Sequence, residues 1–145
     1  MSIILEVADA VVSELNSSPV DTFDYPFVAK RLLYPEFSLE ELEELKVSVV
    51  PRAMETDPSS RLYVTHEFTV DVGIQKRLGG EIEAEVESML KLTEEINAYL
   101  RWRPLKAKEG LSWAKGKNDP LYVPEHLVNE RVFTSVITIT YRMLV

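Results

Sequence analysis

Hydrophobic residues recur along this chain with two different periods, and the switches between those periods predict its elements. Near the N-terminus Ile3, Ile4, Val7, Ala8, Val11, Val12 and Leu15 return every three or four residues, leaving Glu6, Asp9, Ser13 and Glu14 on the outer side. That spacing predicts an amphipathic helix. Asn16-Ser17-Ser18-Pro19 ends it, because proline cannot continue the hydrogen-bond ladder. Phe27 to Tyr34 reads as a short strand before Pro35, and Ser38-Leu39-Glu40-Glu41 has capping-box spacing, opening a helical turn through about Leu45. Lys46 to Ala53 alternates and predicts a strand, followed by a turn at Asp57-Pro58-Ser59-Ser60.

The clearest two-residue period comes next. Leu62, Val64, His66, Phe68, Val70, Val72 and Ile74 share one face, and Tyr63, Thr65, Glu67, Thr69, Asp71 and Gln75 share the other. One apolar face over such a length predicts a long strand in an antiparallel sheet, since parallel strands are usually apolar on both sides. Gly79-Gly80 breaks it. Ile82, Val86, Met89, Leu90, Ile96 and Leu100 then mark a second amphipathic helix, acidic at its start, with Arg101 and Arg103 at its end and Pro104 closing it. The stretch 106–119 mixes glycines, lysines and one tryptophan, and reads as a flexible loop or hairpin. Pro124 suits the first position of a short helix through about Asn129. Arg131 to Met143 alternates again, with a threonine-rich second face, and predicts the last strand. The expected architecture is α+β in one domain, 1–145: a mostly antiparallel sheet with two main amphipathic helices packed on one face.

Composition narrows the function. The chain has 145 residues, 24 acidic and 16 basic, for a net charge of −8, and no cysteine. Disulfides, cysteine-held metals and thiol nucleophiles are therefore excluded. The acidic balance opposes tight nucleic-acid binding, because phosphates are repelled unless basic residues cluster. No run approaches the roughly 20 apolar residues of a membrane span. Acidic residues punctuate the N-terminal apolar positions, unlike a secretory leader, so synthesis in the cytoplasm is expected.

The candidate chemistry is thin. His66 lies on the apolar strand face and reads as a core histidine held by a hydrogen bond. His126, four residues from Glu130, lacks the three or four ligands that a metal site needs. Glu81, Glu83, Glu85 and Glu87 read as a solvated helix face or an electrostatic lining. Neither a phosphate-binding glycine loop nor a nucleophile elbow is present. No cofactor and no catalytic residue is expected. Trp102, Arg103, Trp113, Lys115 and Lys117 form the most distinctive group, and tryptophan and arginine are frequent anchors at protein interfaces. They are the candidate contacts with other subunits.

Several segments together carry a likeness: the helix ending near Asn16, Lys46-Val47-Ser48-Val49-Val50-Pro51-Arg52, Thr69-Val70-Asp71-Val72-Gly73-Ile74-Gln75-Lys76, the helix to Leu100, and Tyr122-x-Pro-Glu-His-Leu before Phe133 to Tyr141. In this order they resemble the neck proteins of tailed bacteriophages, most closely the tail-terminator (tail-completion) group. The resemblance spans nearly the whole chain. It implies a non-enzymatic virion protein that forms a homo-hexameric ring on the head-proximal end of the tail tube. Such a ring ends tube polymerisation, meets the tail tube protein and a head-closure or connector protein, and lets DNA pass through its lumen without specific binding. Two alternatives remain at this point: another neck component (head closure or adaptor), and a small cytoplasmic enzyme or ligand-binding module using His66 or His126.

Overall fold

In the computed structural model, which describes residues 2–144, the two long alternating runs pair with each other. β3 (Val64–Arg77) and β5 (Val132–Leu144) lie antiparallel, with Val70 opposite Ile139 and Val72 opposite Ile137. β2 (Lys46–Pro58) flanks β3 and β4 (Ser112–Asn118) flanks β5, both antiparallel. The three-residue β1 (Ala29–Arg31) adds parallel to β2, giving the order β1-β2-β3-β5-β4. The fold is α+β with a mixed, mostly antiparallel sheet, as the alternation predicts.

Strand register puts Val47, Val49, Val70, Val72, Ile74, Ile137 and Ile139 on one face of the sheet. Helices α1 (Ile3–Asn16) and α2 (Ile82–Leu100) cover that face, and Val7, Val11 and Leu15 join Met89, Leu92, Ile96 and Leu100 in the same buried cluster. Each such side chain contributes about 1.5–3 kcal/mol when fully buried, so this face is where the fold is held. A third helix, α3 (Pro124–Glu130), begins on proline and ends at Arg131, whose φ of 55° turns the chain into β5. Opposite the main helices, Thr65, Glu67, Thr69 and Asp71 of β3 and Thr138 and Thr140 of β5 form a polar face. There Thr138 donates to Asp71 at 2.7 Å, and the Thr69 and Thr140 hydroxyls lie 3.2 Å apart.

Local signals hold where they are short-range. The Ser38 hydroxyl accepts from the Glu41 amide at 3.2 Å, and the Ser38 amide donates back to the Glu41 carboxylate at 3.1 Å. The Ser38 amide, and after it the Ser38 hydroxyl, hold the Glu41 carboxyl below its usual value. They open a single 3-10 turn, Glu41–Glu43, shorter than the turn expected through Leu45.

Other expectations need correction. The stretch 106–119 is not a flexible loop, because Ser112–Asn118 is strand β4. An edge strand needs only one inward side. Trp113 faces the helices opposite Tyr141, while Lys115 and Lys117 lie with Thr140 and Thr138 on the polar face. Gly116 faces α2, where a Cβ would sit 2.8 Å from Asn97 Oδ1 and would make that side chain turn aside. β2 runs five residues beyond Ala53, with a bulge between Pro51 and Ala53 that leaves Arg52 without a register partner. The expected strand over Phe27 to Tyr34 shrinks to Ala29–Arg31. Leu62 precedes β3 in the turn and is 84% exposed, because the β2–β3 hairpin runs past the part of the face that the helices cover. His66 is only half-buried for the same reason, with its Nδ1 3.1 Å from the Thr56 hydroxyl.

Candidate assembly surface

The candidate contact residues fall on both sides of β4, and tertiary packing divides them. α2 ends at Leu100, and Trp102 follows in a left-handed conformation with φ 62°. For a bulky residue this backbone is strained, by about 1 kcal/mol or more. The turn that results stands the Trp102 ring outward, 74% exposed, against Trp113 with ring centres 4.7 Å apart. Trp113 itself is half-buried, and its Nε1 is enclosed without a hydrogen-bond partner among the described residues. The two tryptophans thus form one aromatic ledge at the β4 edge, on the helix side of the sheet.

Arg103 belongs to a different construction. Its guanidinium lies 3.8 Å over the Tyr99 ring and its Nε donates to the Tyr99 carbonyl at 2.9 Å. Its Nη1 is 3.6 Å from Glu14 Oε2. Glu14, expected on the outer side of α1, is only 4% exposed, because the chain after α2 folds across it. The Lys106 amide donates to Glu14 Oε1 at 3.2 Å, and the Tyr99 hydroxyl to the Glu14 carbonyl at 3.4 Å. Glu14 and Arg103 therefore clamp α1, α2 and the 105–106 segment together. Arg103 is thus engaged within the subunit, with its side chain still 36% exposed.

Deeper in the same region Tyr141 is fully buried, and its hydroxyl has no partner among the described residues. Burial pushes its ionisation well above the usual tyrosine range, and the nearby Glu14 carboxylate pushes the same way.

Lys115 and Lys117 are exposed on the polar side of β4, away from the tryptophans. Lys117 has a nearby anion, Asp119, at 3.5 Å. The counterpart of these lysines lies at the far side of the sheet. There Glu55 and Glu67 are direct cross-strand partners, and together with Asp57 their carboxylate oxygens gather within 4.8 Å of one another. Like charges placed directly opposite are mutually unfavourable. Arg142, 3.6 Å from Glu67, offsets part of that repulsion. The sequence reading missed this cluster because Glu55 and Asp57 lay beyond the expected strand end.

The remaining chemistry-bearing residues stay apart. His126 Nδ1 is 2.9 Å from the Thr134 hydroxyl, tying α3 to β5. Of the four alternating glutamates, Glu85 turns back to accept from the Gly80 amide at 2.9 Å, so it serves the helix start. An open groove beside β1 is lined by Tyr25, Phe27, Leu32, Phe37 and Leu45, with Glu43 and Glu44 at its rim. Among the described residues no helix is long and apolar enough to cross a membrane. No protein-family model matches the chain, and no curated protein matches it either.

Proposed function

We propose that the protein is a virion structural subunit that forms a homo-hexameric ring on the head-proximal end of a phage tail tube. The ring ends tube polymerisation and joins tail to head, with the tail tube protein on one rim and a head-closure or connector protein on the other. The observation that carries this reading is the sheet itself. One face is buried under two helices, the other is mostly polar and is met by α3 near Thr134, and each side of the sheet has strand edge with no strand beside it among the described residues. A subunit with two unlike edges suits head-to-tail contact, which makes a ring where the rotation between neighbours closes. The net charge of −8 also suits a lumen through which DNA slides, since phosphates are repelled by an acidic wall. The resemblance in segment order supplies the place in the virion. The role is assembly without catalysis.

Native mass spectrometry across a concentration series, with images of the same samples and of samples mixed with purified tail tubes, tests this. A six-subunit ring with an open centre, seated on tube ends and arresting their growth, is the expected result. A chain that stays monomeric and leaves tube growth unchanged overturns it. Rings that ignore tubes but bind filled heads would move the protein to the head side of the neck.

A further inference from the structure

β1 covers only Val47 to Val49 of β2, so the outer edge of Ala53–Asp57 has no strand beside it among the described residues. β4 forms the opposite edge of the sheet. The remaining edge, that of β1, is plugged: the Asn16 side chain accepts from the Ala29 amide at 2.8 Å and donates to the Ala29 carbonyl at 3.0 Å. The Asn16 amide occupies both backbone groups that another strand would use. Two edges are thus left open while a third is closed.

We infer that the open edge of β2 at Ala53–Asp57 takes β4 of a second copy of this chain, continuing one sheet from subunit to subunit. This rests on the ring reading above and names its interface. Three features of the structure converge on it. Strand direction fits, because β2 and β4 run opposite to each other across the sheet, so two copies side by side in the same orientation meet antiparallel. Charge fits on the polar face, where Glu55 and Asp57 of one copy face Lys115 and Lys117 of the next. The apolar side fits as well, because Met54, 59% exposed, lies on the helix side of β2, as the Trp102–Trp113 ledge lies on the helix side of β4. Alternation along a strand keeps these two matches on their own faces at once. The repulsion between Glu55 and Glu67 is relieved when lysines arrive beside it. Backbone pairing supplies the attachment, and the charge pairs select the partner edge.

The full chain, with K115E/K117E and E55K/D57K as paired variants, tests the inference. All four positions are exposed, so circular dichroism and thermal melts should match the parent. Each variant alone should need roughly tenfold more protein to assemble in native mass spectrometry, from replacing attractive pairs by repulsive ones. Mixing the two variants should restore assembly with alternating subunits, since each then offers the edge that the other needs. Variants that form rings like the parent's overturn this interface, leave the ring reading standing, and assign the lysines to guarding the edge. A parent that never assembles, free or on tubes, overturns the ring reading and this inference with it.

Discussion

Replacing Glu14 by alanine removes the anion on which α1, α2 and the chain after α2 converge. Two contacts are lost, and they differ in weight. The Lys106 amide donates to a charged oxygen at 3.2 Å in a partly buried place, and such bonds are worth about 1.5–3 kcal/mol. The Arg103 pair is longer, 3.6 Å, and the arginine side chain is 36% exposed, so solvent screening holds it to about 0.5 kcal/mol. Together they predict a loss of about 2–3.5 kcal/mol, or about 6–10 °C in Tm for a chain of this size. Glu14→Gln keeps an acceptor for Lys106 and should recover about half of that loss. Urea unfolding of Glu14→Ala, Arg103→Ala and the double variant forms a cycle whose coupling term should be about 0.5 kcal/mol. A Glu14→Ala protein within about 0.5 kcal/mol of the parent would refute the clamp and return Glu14 to the solvated face of α1.

Tyr141→Phe should be neutral at pH 7 or stabilising by up to about 1 kcal/mol, because it deletes a buried hydroxyl that has no partner; a clear loss of stability would mean that the hydroxyl is bonded. Since burial, and then Glu14, raise the Tyr141 pKa in the fold, its contribution is complete below the ordinary value of 10.0 and is lost as pH rises above it. Urea midpoints should therefore fall more steeply above about pH 10 in the parent than in Tyr141→Phe, and equal slopes would contradict this. Asn16→Ala should cost about 1–2 kcal/mol through its two bonds to Ala29 and should unplug the β1 edge. Light scattering should then show aggregation that the parent lacks, and a variant that stays soluble and equally stable would refute the plug.

Much of the fold was legible from short-range pattern. The helix over Ile3–Asn16, the helix to Leu100 and both long strands follow from periods of 3.6 and 2, because those periods arise within each element and need no knowledge of its neighbours. The Ser38–Glu41 capping box is legible for the same reason, its four residues being contiguous. The mostly antiparallel sheet follows from the one-sided strands.

What depended on distant residues was not legible. Glu14 reads as solvated until Arg103 and Lys106, about ninety residues later, fold over it. Lys115-Gly116-Lys117 reads as loop until β5 offers a ladder. Trp102 and Trp113 meet, whereas Arg103 turns to Tyr99 and the lysines face the other side of the sheet. Which edge is plugged and which is open depended on Asn16 reaching Ala29, a contact between a helix end and a strand. Sequence alone determined the two main helices and the two long strands, since hydrophobic period and caps act over a few residues. Tertiary structure decided which charges are buried, which edges are free and which candidate residues share a surface, because those depend on contacts between segments far apart in the chain.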